Sequence, residues 1–227
     1  MTGTRKLVIF DVDGTLVDSQ ASILASMSFA FTKAGLQVPT REAALGIVGL
    51  SLPEAMAVLA PEQDKDIQLQ LAADYKMGPA AHREDGWKVA DAALYEGASD
   101  AIQVLHSTGY ALSAATGKSR RGLDRFLTAH GFDTMFQGTQ TADDAPSKPH
   151  PQMILNCLAH HRIAAEDALI IGDTEYDMAM GRAAGVGTIG AAWGYHPLDR
   201  IHRGGADVIA DKVEQLVPLI QDMLGAP

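Results

Sequence analysis

Cysteine is almost absent from this chain: Cys157 stands alone among 227 residues, so no internal disulfide can form and a reducing compartment is expected. Long apolar runs are missing as well. Nothing approaches the roughly 18 consecutive apolar residues of a membrane span, and the apolar stretch at 7–10 is shorter than the core of a signal peptide. The expectation is a cytoplasmic protein with no membrane partner. Positive charge is scarce, with 18 Lys and Arg against 28 Asp and Glu for a net charge of −10, which removes the cationic footprint of a nucleic-acid binder. Such a field also repels anions, so a phosphate site here must be built from a few placed donors or a metal. What is present is ordinary globular composition, 47% hydrophobic and 20% charged, at a length that suits one large domain or two small ones. A chain of this size can bury a core without disulfides or a structural metal.

Short apolar runs alternate with longer amphipathic stretches, the pattern of a parallel sheet covered by helices. Strands are expected at 7–10, 111–115, 168–171, 186–189 and 208–210, with an edge strand at 135–137. Helices are expected at 98–107, 119–130, 151–160 and 175–184, with Leu123, Phe126 and Leu127, and Ile154, Leu155 and Leu158, turned toward the sheet. From 19 to 88 only helical pattern occurs, so an inserted helical module is expected. Ile23, Met27 and Phe31 fall four apart, with Leu24 beside them and Gly35 as a stop. Ser51 and Glu54 fit a capping box, and Ile67, Leu71 and Tyr75 mark a further helix behind a solvated charged start at 62–66. The chain returns to the core between 86 and 97.

Chemistry concentrates at strand ends. Asp11-Val12-Asp13-Gly14-Thr15-Leu16-Val17-Asp18 follows the first strand directly, where open α/β sheets bind their ligands. Residues i and i+2 of an extended chain project to one side, so Asp11 and Asp13 can face one small site, and Gly14 lets the chain turn away. A strand-end turn with two capping aspartates is the plainer alternative. Thr116, Gly117, Lys118 and Ser119 follow another strand and offer a hydroxyl, open backbone N–H groups and a helix start, which together suit an anion or an ordinary capped turn. Lys148 lies in Ser147-Lys148-Pro149-His150-Pro151, a stiffened loop that either aims the lysine at the site or leaves it in solvent. Asp173 and Asp177 flank the start of a helix, a position that helix-dipole stabilisation alone would explain.

Other signals carry less. Gly117-Lys118-Ser119 lacks the earlier glycine of a P-loop, since Leu112 stands there. The 185–190 segment matches G-x-G-x-x-G but spans a strand instead of following one, which excludes a dinucleotide cofactor. No histidine spacing resembles a zinc site. Trp193, Tyr195 and His196 are read as packing residues near the cleft, and Arg41 and Arg83 as helix arginines that would meet a substrate carboxylate only if turned inward.

In order, the motifs at Asp11, Thr116, Lys148 and Asp173, with a helical insert after the first, resemble the haloacid dehalogenase superfamily across essentially the whole chain, in its phosphoglycolate phosphatase-like branch. The resemblance implies a Rossmann-like α/β core of residues 1–18 and 97–227 and a helical cap of the C1 type at 19–96. It implies a Mg²⁺-dependent phosphatase acting on a small phosphorylated metabolite, phosphoglycolate first, through an aspartyl-phosphate. Asp11 would be the nucleophile, Asp13 the acid and base, and Lys148 the neutralising cation. Thr116, Gly117 and Lys118 would hold the phosphoryl oxygens. Asp11, the Asp13 backbone carbonyl and Asp173 would hold the metal, with Asp177 orienting a ligand or in the outer shell. One position departs: where family phosphatases often carry asparagine, this chain has Gly117. A dehalogenase would lack Asp13, whereas a phosphosugar mutase of the same superfamily or a phosphate-binding regulatory protein stays open. The protein is expected to be a monomer or a homodimer.

Overall fold

A computed structural model describes residues 5–84 and 92–227, with the backbone alone for 79–84. The Arg83 side chain and much of the expected return segment, 85–91, therefore lie outside the described residues. Strands β1 (Leu7–Phe10), β4 (Ala111–Thr116), β5 (Gln140–Thr141), β6 (Ala168–Gly172), β7 (Gly187–Ala191) and β8 (Val208–Ala210) form a parallel sheet in the order β5-β4-β1-β6-β7-β8. A second, antiparallel pair joins β2 (Val17–Asp18) to β3 (Ala93–Leu94).

Alternation along buried strands assigns side chains to two layers. Val8 and Phe10 of β1, with Leu112 and Ala114 of β4, pack on one face beneath α5 (Ala98–Ser107), α6 (Arg120–His130) and α10 (Leu216–Leu224). Leu7 and Ile9 face the other way, toward α7 (Gln152–His161) and α8 (Glu175–Ala184). The result is a three-layer α/β/α sandwich, Rossmann-like, with strands buried on both sides, which is why they read as continuous apolar runs. Helix α9 (Leu198–Gly204) and α10 complete this part; neither was read from the pattern.

Between β2 and β3 lie the helices α1 (Gln20–Lys33), α2 (Arg41–Leu45), α3 (Leu52–Leu59) and α4 (Lys65–Glu84). They bury a cluster of their own from Met27, Phe31, Ala44, Met56 and Leu71.

Three local expectations need correction. The edge strand is not at 135–137: only Phe136 bridges to Leu112, the ladder breaks at Gly138, and pairing with β4 resumes at Gln140. Leu155 is 41% exposed, because the buried stripe of α7 runs through Met153, Ile154, Cys157 and Leu158 and leaves 155 on the outer side. The helix marked by Ile67, Leu71 and Tyr75 is α4, with Leu71 on its buried side and Ile67 on its exposed one. Ser51 occupies the N-cap of α3, yet its side chain caps nothing; its backbone N–H donates instead to Ser147 Oγ at 2.8 Å, tying the helical insert to the Lys148 loop.

Leu71 is fully buried at the centre of the insert's cluster. Leu71→Ala is expected to destabilise that unit by about 2–5 kcal/mol through lost transfer energy and the cavity left behind. Urea denaturation followed by tyrosine and tryptophan fluorescence measures it, and a change near zero would mean the cluster is not closely packed.

Candidate active site

Strand order brings three strand ends together. β1 is flanked by β4 on one side and β6 on the other, with Phe10 in register with both Ala114 and Ile171. The crevice at their carboxyl ends is the switch point where open sheets of this kind take ligands. Asp11 continues β1, and its N–H donates to the Ile171 carbonyl at 2.8 Å. Thr116 closes β4, and Asp173 follows the last residue of β6. Gly14, at φ +84°, turns the chain away; a side chain there would overlap the Asp173 carboxylate.

Lys148 reaches this crevice from the loop before α7 and is buried, its Nζ 2.7 Å from Asp11 Oδ1 and 2.6 Å from Asp177 Oδ1. Burial alone would lower its pKa, but the two carboxylates outweigh that and hold it above the ordinary lysine value. Burial also pushes Asp11 up to about 7, with Lys148 opposing the rise and Asp177 adding to it. Asp173 is raised well above the usual carboxylate range, first by burial and then by the charges of Asp11 and Asp177. Its Oδ1 accepts from Thr15 Oγ1 at 2.9 Å and its Oδ2 from the Tyr195 N–H at 2.7 Å. Asp177 is fixed by a capping box with Thr174, so the helix-capping reading is correct for it and coexists with its hold on Lys148.

Carboxylate oxygens of Asp11, Asp173 and Asp177 lie within 4.8 Å of one another, a grouping able to hold a metal ion. The donor set fits a hard divalent cation, which prefers oxygen ligands. Asp11 Oδ2 is buried and without any hydrogen-bond partner; such an atom normally has one, so it is left for a group the chain itself does not supply. Three carboxylates around one ammonium leave an uncompensated charge that a divalent cation would match.

Asp13 is not part of this cluster through its side chain. Its Oδ1 accepts from Ser19 Oγ at 2.5 Å and pairs with Lys118 Nζ at 2.8 Å. Asp11, Asp13, Thr116, Gly117 and Lys118 line a cavity of about 450 Å³ whose opposite wall comes from the helical insert. Gly49 and Leu50 belong to that wall, whereas Arg41 bonds to the Gln20 side chain and does not line the cavity.

The residues that sequence reasoning missed are supporting ones. The Tyr195 hydroxyl accepts from the Ser19 N–H at 2.8 Å while its backbone holds Asp173, and the Trp193 indole donates to the Thr15 carbonyl at 3.1 Å. Their loop follows β7, and only its position after a strand end marked it. The departure at position 117 has a steric cause. A Cβ on Gly117 would stand 2.7 Å from the Leu50 carbonyl oxygen and 3.0 Å from that of Gly49, so glycine is what lets the insert's backbone reach the turn after β4.

Comparison with known proteins bears on this arrangement. The family profile described as haloacid dehalogenase-like hydrolase matches residues 8–191. The chain is 33% identical to the probable phosphatase IndB of Dickeya dadantii (strain 3937), over 94% of this chain and 92% of that protein. It is 28% identical to pyrophosphatase PpaX of Anoxybacillus flavithermus, over 94% and 95% of the two. Among solved structures, a haloacid dehalogenase-like family hydrolase from Streptococcus pneumoniae superposes with a TM-score of 0.80 at 26% identity, covering 96% of this chain and 99% of the other.

Two outcomes are expected. Asp11 and Asp173 have folded pKa values raised above 3.8, so the folded state binds more protons and metal-free protein loses stability as pH rises from about 4 toward 7. A divalent cation at ~100 times its Kd should then restore about 2.7 kcal/mol at pH 7.5 and much less at pH 5, where protons occupy the carboxylates. Thermal melts at both pH values check this; equal gains would contradict it. Gly117→Ala should displace the 49–51 backbone and weaken the bond from the Ser51 N–H to Ser147, costing the Ser51 amide roughly 1 kcal/mol of hydrogen-exchange protection. Unchanged exchange would show that the segment accommodates a methyl group.

Proposed function

Because the chain belongs to the haloacid dehalogenase-like hydrolase family, we propose that it is a Mg²⁺-dependent phosphatase that hydrolyses a small phosphomonoester through an aspartyl-phosphate on Asp11. The observation that carries this reading is the state of Asp11. One oxygen is held by Lys148 and the other is buried and uncommitted, at the strand end beside the cavity. A carboxylate so oriented has one oxygen free to attack.

Repulsion between an anionic nucleophile and an anionic phosphoryl group is worth roughly 4 kcal/mol per unit-charge pair at about 4 Å and an effective dielectric of 20. Lys148 offsets part of it, and its second bond to Asp177 keeps it from swinging away. Bound Mg²⁺ would neutralise further charge on Asp11 and the transferring oxygens, held by Asp11, Asp173 and the Asp13 backbone carbonyl, with Asp177 behind them. Thr116, the Gly117 N–H and Lys118 hold the remaining phosphoryl oxygens.

Asp11 Oδ2 attacks phosphorus, and the bond from phosphorus to the leaving oxygen breaks. The Asp13 carboxylic acid gives its proton to the departing alkoxide. Water then attacks the phosphoaspartate, Asp13 takes its proton back, and the bond from Asp11 to phosphorus breaks to release inorganic phosphate. Asp13 suits this shuttle because Ser19 and Lys118 hold it at the cavity, away from the buried carboxylates. Residues 19–96 act as the cap that covers the reaction and excludes water.

Asp11→Asn is expected to reduce phosphate release to below a few per cent of the parent while circular dichroism shows the fold intact. Chelation should abolish turnover of the parent and Mg²⁺ restore it, across a panel of phosphoglycolate, β-glucose 1-phosphate and pyrophosphate. Substantial activity in pure Asp11→Asn protein would overturn the nucleophile assignment.

A further inference from the structure

Beyond the phosphoryl end, the cavity has a composition of its own. Its cap-side wall is apolar, from Ile23, Met27, Ile47, Val48, Leu52 and Ala55. Its charged lining comprises four cations, Lys76, Lys118, Arg121 and Arg125, against two carboxylates, Asp11 and Asp13, in a chain whose net charge is −10. Lys118 is engaged by Asp13. Among the described residues, Arg121, Arg125 and Lys76 make no hydrogen bond or ion pair.

These cations are ordered in space. Arg121 and Arg125 are one helical turn, about 6 Å of axial rise, apart on the same side of α6, whose N-cap Ser119 directly follows Lys118. Lys76 comes from α4 on the cap side, next to Tyr75, whose phenol feels the Asp13 charge. The positive row therefore leads outward from the phosphoryl site past an apolar wall. Volume points the same way. Phosphoglycolate has few heavy atoms, and even at a water's share of about 30 Å³ each it would leave much of the 450 Å³ empty.

We propose that the substrate is a phosphomonoester whose leaving group carries a second anionic group, a carboxylate or a further phosphate, on an apolar spacer, and that Arg121 and Arg125, with Lys76 opposite, select it. This rests on the phosphatase reading and narrows its substrate class. The apolar spacer packs on the cap wall, and the guanidinium forks take the distal anion in bidentate fashion.

The test compares phenyl phosphate with 4-carboxyphenyl phosphate and 1,4-phenylene bisphosphate, in the parent protein and in Arg121→Gln/Arg125→Gln. The parent should favour at least one doubly anionic ester over phenyl phosphate by about tenfold in kcat/KM, about what one charge-assisted hydrogen bond supplies. The preferred ester identifies the distal group as carboxylate or phosphate. In the double variant the preference should fall toward one, and comparing the two proteins cancels differences in leaving-group reactivity. No preference in the parent, or a preference kept by the variant, would overturn the proposal. Absence of turnover for every ester would defeat the phosphatase reading instead. Calorimetric binding of benzylphosphonate against 4-carboxybenzylphosphonate and its bisphosphonate counterpart then decides the distal site, with equal Kd values for all of them counting against it.

Discussion

One buried ammonium organises the centre of this molecule. Lys148 Nζ joins Asp11, from the end of β1, to Asp177, from the first turn of α8, with none of the lysine side chain exposed to solvent. Without it, three carboxylates with ligand oxygens within 4.8 Å would face one another in a buried space, each charge pair costing roughly 3 kcal/mol at an effective dielectric of 20. Removing one partner of a buried ion pair typically costs about 3–5 kcal/mol, so the cation is structural and electrostatic at once. It fixes which Asp11 oxygen is committed and thereby which is free.

The cation also couples the loop before α7 to the helical insert. Ser147, its neighbour, accepts from the Ser51 N–H, and the same stretch of the insert lies against Gly117. Further along, the Gly46 carbonyl accepts from Arg200 and from the Tyr176 hydroxyl, while Tyr195 receives the Ser19 N–H at the insert's start. Each such bond contributes about 0.5–1.5 kcal/mol net. A handful of them holds the insert over the crevice. Asparagine at position 117 would add a side-chain donor and forfeit this backbone approach.

Much of this was legible in sequence because the information is local. Apolar runs ending in Asp11, Thr116 and Asp173 mark parallel strands and their ligand-bearing ends together, and helices such as 98–107 and 175–184 carry their own periodicity. What escaped is tertiary. Nothing near Tyr195 announces that its amide will hold Asp173, a partner 22 residues away. Ser51 looked like a side-chain cap because the motif is local, whereas its bond is to Ser147, 96 residues on. Likewise, Gly117 reads as a missing contact until Leu50 is seen against it.

The division of labour follows from the same geometry. The core presents fixed charges at strand ends, where the main chain is held by ladder bonds on both sides of β1, so the reacting atoms are positioned by the least deformable part of the fold. The cap contributes apolar side chains on helices joined to the core by a few hydrogen bonds. Changing those side chains alters the fit of a leaving group without disturbing Asp11 or Lys148. Helix α6 is the exception that links the two regimes: its capped start lies beside Lys118 and the turn after β4, while Arg121 and Arg125 line the cavity. Arg121 and Arg125 stand on a core helix whose N-cap, Ser119, follows Lys118 directly, so their placement relative to the 116–118 turn is fixed by the core and not by the helical insert. A distal anion held by Arg121 and Arg125 would therefore be met by the core, whereas an apolar spacer would be met by the helical insert.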